Sequence, residues 1–277
     1  MVAGVTLSRR DISELLDRHG LHPSRALGQN FVVDPNTVRR IARLAEVEQG
    51  DSVLEIGAGL GSLTLALAET GASVTAVEID RHLVPVLRET VEPVGVAVVE
   101  GDAMALDWTA LLAGADRWVL VANLPYNVAT PLVADLLDSA PQIHRMLVMV
   151  QREVAERLAA RPGGKAYGAV SVKVAYWATA AVVGKVPATV FLPRPNVESA
   201  LVRIDRRPAP AVAADRDRLF ELVRAGFGQR RKMLRRSLAG LVLPDAFECA
   251  AVAPEARAED LAVEDWGRLA ECAPTPS

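Results

Sequence analysis

The sequence predicts an α/β protein: a mostly parallel sheet with helices on both faces, followed by a small all-α domain. Two observations carry this reading. Between Val53 and Val150, five short apolar strands alternate with helical stretches, the pattern of a parallel sheet covered on both sides. At Arg206-Arg207-Pro208-Ala209-Pro210 the composition shifts to a proline-rich linker, beyond which the chain reads as helical. The expected division is a sheet domain with an N-terminal helical extension over residues 1–205 and a helical domain over residues 211–277.

Each element follows from local chemistry. Ser8-Arg9-Arg10-Asp11 has capping-box spacing, Ile12, Leu15 and Leu16 form an apolar face, and Gly20 ends the helix. A loop, Leu21 to Gln29, leads to Asn30-Phe31-Val32-Val33. Asp34-Pro35-Asn36 then opens a helix with Val38, Ile41, Leu44 and Ala45 on one side. Strands are expected at Val53–Ile56, Val74–Val77, Val96–Val99, Val119–Val121 and Met146–Val150. Helices fill the gaps at Leu63–Ala68, Leu83–Arg88 and Pro131–Leu137. Val170–Trp177 and Val182–Val186 are β-rich and are expected to extend the sheet. Asp215–Arg224, Arg230–Leu241 and the final segment read as helices.

With 51% apolar and 23% charged residues, the 277-residue chain has the composition of a soluble globular protein. No apolar run approaches the roughly 20 residues that span a bilayer, and Met1 to Arg10 has no signal-peptide h-region. Cys249 and Cys272 are the only cysteines, and no Cys/His pair has zinc spacing. The expectation is a reduced, cytoplasmic protein with no metal. The net charge of −3 conceals an asymmetry: Arg203 to Arg236 holds eleven basic residues against four acids, and Asp245 to the end holds eight acids against two arginines. The basic run suits a polyanion, and the acidic tail, ending Pro-Thr-Pro-Ser, suits solubility.

The chemistry concentrates where strands end. Glu55-Ile56-Gly57-Ala58-Gly59-Leu60-Gly61 leaves the first strand for a helix, and glycines there admit a ligand close to the backbone. Ser62 stands where a dinucleotide fingerprint carries its third glycine, which disfavours a nicotinamide-dependent oxidoreductase. Glu78 closes the second strand, placed to bind both hydroxyls of a ribose. Asp102 follows the third, where a carboxylate can accept from an adenine amino group. Asn123-Leu124-Pro125-Tyr126 ends the fourth: an amide oxygen for an exocyclic amine, a turn without an N–H at Pro125, and an aromatic face for a base. Four such residues in order look like the S-adenosyl-L-methionine (SAM) methyltransferase fold, with Gly57, Gly59, Glu78, Asp102 and Asn123 at the cofactor.

Further segments sharpen this. Leu27-Gly28-Gln29-Asn30-Phe31, Glu55 to Gly61, Val77-Glu78-Ile79-Asp80, Gly101-Asp102-Ala103 and Asn123-Leu124-Pro125-Tyr126-Asn127 occur in order. Phe191-Leu192-Pro193-Arg194-Pro195-Asn196-Val197-Glu198-Ser199 and Phe227-Gly228-Gln229-Arg230-Arg231-Lys232-Met233-Leu234 follow. From about Ser8 to Leu241 the chain resembles the KsgA/RsmA family of ribosomal-RNA adenine dimethyltransferases. The resemblance implies dimethylation of N6 on two adjacent adenosines in the 3′-terminal hairpin of 16S rRNA, with a pre-30S particle as partner. It also implies that Asn30 and Val32 touch SAM. Val32, Ala129, Asn196, Met233 and Arg236 depart from the family's usual residues without removing a proposed chemical group. Sibling enzymes that methylate large-subunit RNA typically carry Ser-Gln-Asn-Phe at the first motif and generally lack the Gln-Arg-Arg-Lys run. That activity, an adenine DNA methyltransferase and a non-catalytic RNA-binding assembly factor are the alternatives.

The implied mechanism assigns the Asn123 side-chain oxygen and the Leu124 carbonyl to the N6 hydrogens, and Tyr126 to stacking. Arg230, Arg231, Lys232, Arg235 and Arg236 are expected on one helix as RNA-phosphate contacts, because no acid lies between Arg224 and Leu241. Nothing in the sequence demands more than a monomer.

Overall fold

The computed structural model describes residues 6–24 and 26–273. Met1–Val5, Arg25 and the Pro274–Ser277 tail lie outside the described residues, and with them part of the N-terminal and tail readings. In chain order the elements are α1 (Arg9–Arg18), β1 (Phe31–Val32), α2 (Pro35–Leu44), β2 (Ser52–Ile56), α3 (Ser62–Ala68), β3 (Ser73–Glu78), α4 (Val84–Val91), β4 (Ala97–Glu100), α5 (Trp108–Leu111), β5 (Trp118–Asn123), α6 (Ala129–Ser139) and β6 (Ile143–Gln151). They continue with α7 (Arg152–Leu158), α8 (Ala169–Trp177), β7 (Ala178–Val186), β8 (Phe191–Leu192), β9 (Ser199–Arg206), α9 (Arg216–Gly228), α10 (Leu234–Ser237), α11 (Pro244–Cys249) and α12 (Val263–Cys272).

The main sheet has seven strands in the order β4-β3-β2-β5-β6-β9-β7. β2 pairs in parallel with β3 on one side and β5 on the other, β4 extends the first side and β6 the second. β9 runs antiparallel to β6. Strand order therefore reverses at β2/β5, which opens a crevice above the carboxyl ends of these strands. Val53, Leu54, Val119, Leu120 and Val121 are all buried, as continuous apolar strands between two helical layers require. The expected caps are present. Ser8 N donates to Asp11 Oδ2 at 2.8 Å, and Asp34 Oδ2 accepts from Thr37 N at 3.0 Å.

The chain forms two compact units, Met1–Ala155 with Ala181–Asp205, and Glu156–Ala180 with Arg206–Ser277. The helical unit is thus more than the segment after the linker. Val170–Trp177, expected as a strand, is α8. Its alternating valines suggest a strand, but Val172 and Tyr176 join one apolar core with Leu219, Phe220 and Val223 of α9. Packing overrides β-propensity here. Trp266, fully buried, lies at this core, where a Cβ on Gly226 would come within 2.6 Å of its ring. The expected helix over Arg230–Leu241 shrinks to α10. The basic run before it is a turn, pinned by Leu234 N to Ala256 O and Arg235 N to Pro254 O.

The expected free thiols are also corrected. Cys249, at the end of α11, and Cys272, at the end of α12, form a disulfide with a Cα–Cα distance of 6.0 Å and 23 residues of separation. Spacing carried no sign of it; the fold of the helical unit brings the C-terminal ends of the two helices together. A loop of this length restrains the unfolded chain by about 3 kcal/mol. Reductant is therefore expected to lower the thermal midpoint of the protein, and Cys249→Ala to lower it equally and abolish the reductant effect, measured by circular dichroism melts.

Candidate active site

The crevice begins where β2 gives way to α3. Gly57 N and Ala58 N both donate to Val77 O, at 2.9 and 3.2 Å, which folds the loop back over β3. Gly59 has φ +60, and a Cβ there would lie 3.1 Å from the Phe31 ring. Gly61 has φ +91, and its Cβ would meet Val91 at 2.6 Å. Side chains at these two positions would strain the backbone and push the loop off its neighbours. Two adjoining clefts of ≈ 750 and ≈ 580 Å³ result, joined through Leu27, Gly57, Ile79 and Pro125.

Acids line the strand ends as the sequence predicts. Glu78, 5% exposed, accepts from Gly59 N at 2.7 Å with one oxygen and from Asp80 N at 2.9 Å with the other. Burial pushes its carboxyl up, against those two hydrogen bonds. Asp102 lies in the adjoining cleft, exposed, with one oxygen accepting from Met104 N at 2.9 Å and the other open to a ligand. Exposed Ile79 and Met104 flank it with apolar surface.

At the end of β5, Asn123 Nδ2 donates to Asn30 O at 3.0 Å. A carbonyl only accepts, so the amide must present its NH2 to Asn30 and leave Oδ1 as the unused acceptor. Asn30 Nδ2 in turn donates to Gly28 O at 3.0 Å, and Leu124 N donates to Met149 O at 3.1 Å. The Leu124 carbonyl accepts no hydrogen bond among the described residues. Tyr126 is half-buried and its hydroxyl lies 2.8 Å from Ser199 Oγ. Burial raises its pKa, and the Ser199 hydrogen bond opposes that. Asn30, Val32, Gly57, Gly59, Glu78 and Asn123 to Tyr126 thus line one cleft, and Asp102 its neighbour.

Similarity to known proteins agrees with this geometry. The ribosomal RNA adenine dimethylase family matches residues 21–274. The chain belongs to this family. It is 49% identical over 274 residues to ribosomal RNA small subunit methyltransferase A of Kineococcus radiotolerans, covering 95% of this chain and 90% of that one. The Thermobifida fusca protein of the same name is 47% identical over 279 residues, with 97% and 96% covered. Among solved structures, the dimethyladenosine transferase of Plasmodium falciparum superposes with a TM-score of 0.72 at 25% identity, covering 85% of this chain and 94% of that one. The 23S rRNA methyltransferase ErmE gives 0.69 at 28%, covering 88% and 99%.

As a member of this family, the protein is a SAM-dependent methyltransferase, and the cleft has groups that await such a ligand. Glu55 Oε2 and Ser62 Oγ line it, are buried, and have no hydrogen-bond partner among the described residues. Buried polar atoms are rarely left so. The lining is chemically suited to such a group: acids at Glu78 and Asp102, a glycine loop that admits close approach, and the Asn30 amide.

The sequence reading missed several contributors. Gln29 accepts from Ser24 N at 2.7 Å and donates to Asp80 Oδ2 at 2.8 Å, which ties the N-terminal loop to the end of β3. Gln29 and Ser199 both fall inside quoted motifs, but their partners are distant in sequence. The basic run departs most from expectation. Arg230 Nε donates to Glu259 Oε2 at 2.7 Å and Arg230 Nη2 to Lys165 O at 2.8 Å, and Arg235 Nη1 donates to Glu255 Oε1 at 2.9 Å. Arg231, Lys232 and Arg236 are exposed and have no ion pair among the described residues. The one-helix arrangement is therefore replaced by a turn over residues 229–232 followed by α10, with Arg230 in the turn and Arg235 in α10 each held by an acid of the C-terminal segment.

Glu55, 1% exposed, has its carboxyl pushed from an ordinary 4.5 up to about 8, first by burial and then by the charge of Glu78. Thr64 acts in the opposite direction. The folded protein keeps this proton where the unfolded chain has lost it, so between these values the unfolded state binds fewer protons and stability falls as pH rises. Glu55→Gln, which mimics the neutral acid, is expected to melt like the parent at pH 5 and above it at pH 8.5. Parallel melting curves at both pH values would refute a proton held on Glu55.

Proposed function

We propose that this protein dimethylates N6 of two adjacent adenosines in the 3′-terminal hairpin of small-subunit ribosomal RNA, working as a monomer on a pre-30S particle. Identity supports the small subunit: relatives named for it are 44–49% identical over nearly the whole chain, against 28% for the 23S enzyme ErmE. The observation that carries the chemistry is the Asn123–Asn30 hydrogen bond, which commits the amide NH2 to Asn30 O and leaves Oδ1 to accept.

An adenine amine is a weak nucleophile because its lone pair is delocalised into the ring. Asn123 Oδ1 and the Leu124 carbonyl accept its two hydrogens and draw the lone pair out of conjugation. Pro125 contributes no competing donor, and its own carbonyl is taken by Val128 N and Ala129 N at 3.2 and 3.1 Å. SAM, when bound, supplies an electrophilic methyl group on its sulfonium. Positioning then provides most of the rate. Everting the base costs about a few kcal/mol, and stacking on Tyr126 returns roughly 1–3 kcal/mol. Arg231, Lys232 and Arg236 hold RNA phosphates, while Arg230 and Arg235 shape the turn that presents them.

Asn123→Ala is expected to lower methyl transfer at least a hundredfold with SAM affinity within about threefold of the parent. The measurement is radiolabel transfer from SAM to undermethylated small subunits, large subunits and duplex DNA in parallel, with calorimetry for SAM. Label in large subunits alone would move the assignment to the 23S activity, and label nowhere would leave only an RNA-binding role. Reversing Arg231, Lys232 and Arg236 to Glu is expected to weaken RNA binding and reduce its logarithmic salt slope by about 0.7–0.9 per lost contact, with SAM binding unchanged. An unaltered slope would place the phosphate contacts elsewhere.

A further inference from the structure

Tyr126 could have kept its hydroxyl in water, as an aromatic platform needs only its ring face. Instead Oη lies 2.8 Å from Ser199 Oγ, and Ser199 is 1% exposed at the head of β9. Ser199 is itself held firmly. It pairs with Gln151 across β6 and β9, and its neighbour Glu198 receives Arg152 N at 3.0 Å on the backbone and Arg152 Nη1 at 3.0 Å on the side chain. The same strand β6 supports the amine-accepting turn: Asn123 is in register with Met149, and Met149 O accepts from Leu124 N. One strand thus sets the spacing between the Tyr126 anchor, at Gln151, and the two acceptors, at Met149.

We propose that Ser199 is a positioning residue for methyl transfer, its buried hydroxyl clamping the Tyr126 ring at a fixed depth beside Asn123 and Leu124. The inference rests on the reading of Tyr126 as the base platform. A ring fixed at Cβ and at Oη can turn about its long axis but cannot swing, so it sets how far a stacked adenine enters. Depth matters most in the second transfer. The monomethylated amine has one hydrogen left for the two acceptors, and its methyl group must fit while the lone pair still faces the donor. A loose ring therefore penalises the second methylation more than the first.

The test uses the full-length protein and undermethylated small subunits, with Ser199→Ala, Tyr126→Phe and the double variant. Each single variant is expected to slow turnover about three- to tenfold, the range of one lost hydrogen bond. Each should also raise the share of monomethylated adenosine found by mass spectrometry of digested RNA, with SAM affinity unchanged by calorimetry. The double variant should be no slower than either single one, since both remove the same link. Tyr126→Phe keeps the ring and guards against a Ser199→Ala protein that folds poorly. A Tyr126→Phe enzyme with the parent rate and the parent product ratio would overturn the clamp, as would multiplicative losses in the double variant. Tyr126→Ala separates the two ideas: the parent rate there would remove the platform itself, whereas a loss there beside an unaffected Tyr126→Phe removes only the clamp.

Discussion

The parallel register of β2 with its two neighbours is the constraint on which the site depends. Ile56 lies opposite Val77 on β3 and Ala122 on β5, so the residues that follow, Gly57, Glu78 and Asn123, end their strands in one row. β4 extends the row, with Glu100 opposite Glu78 and Asp102 two residues on. A shift by one residue would turn each side chain to the opposite face of the sheet and scatter the row. Packing on both faces opposes that shift, because each layer is fitted to side chains of particular size and a slipped strand would present the wrong ones to both. The core therefore fixes the relative positions of groups that never touch one another.

Register alone does not orient an amide. The Asn30 carbonyl settles which end of the Asn123 amide is engaged, and Asn30 belongs to a loop that precedes β2. That loop is held by its own contacts: Gln29 to Asp80, Asn30 Nδ2 to Gly28 O, and the two-residue pairing of β1 with β8 at Phe31↔Leu192 and Val32↔Phe191. Phe31 then packs beneath Gly59. The N-terminal motif thus acts through the backbone as much as through its side chains. Its carbonyl polarises and aligns the acceptor, and its aromatic ring supports the glycine loop.

Much of this was legible in the sequence because it depends on local rules. Short apolar runs, a capping box at Ser8, an N-cap at Asp34, and a glycine loop between strand and helix are decided by residues within a few positions of one another. Elements decided by distant partners were not legible. α8 has the valine spacing of a strand and is a helix because α9 packs on it. The disulfide joins residues whose helices meet only in the folded unit. Ser199 finds Tyr126 from across 73 positions of sequence. At the site the strand-end acids and the Asn-Leu-Pro-Tyr turn were readable from type and place, while the groups that orient them were not.

The basic run shows the same limit in electrostatic terms. In sequence order no acid lies between Arg224 and Leu241, which by that order alone leaves five cations for phosphates. In the folded unit Glu259 and Glu255 come from the supposedly solubilising tail to Arg230 and Arg235. A cation already paired releases little on meeting a phosphate, because its charge is partly neutralised before contact. At about 0.7–0.9 in logarithmic salt slope per phosphate, three free cations rather than five lower the expected dependence by roughly 1.4 to 1.8. The local arrangement is one in which acids hold Arg230 and Arg235 while Arg231, Lys232 and Arg236 stay exposed.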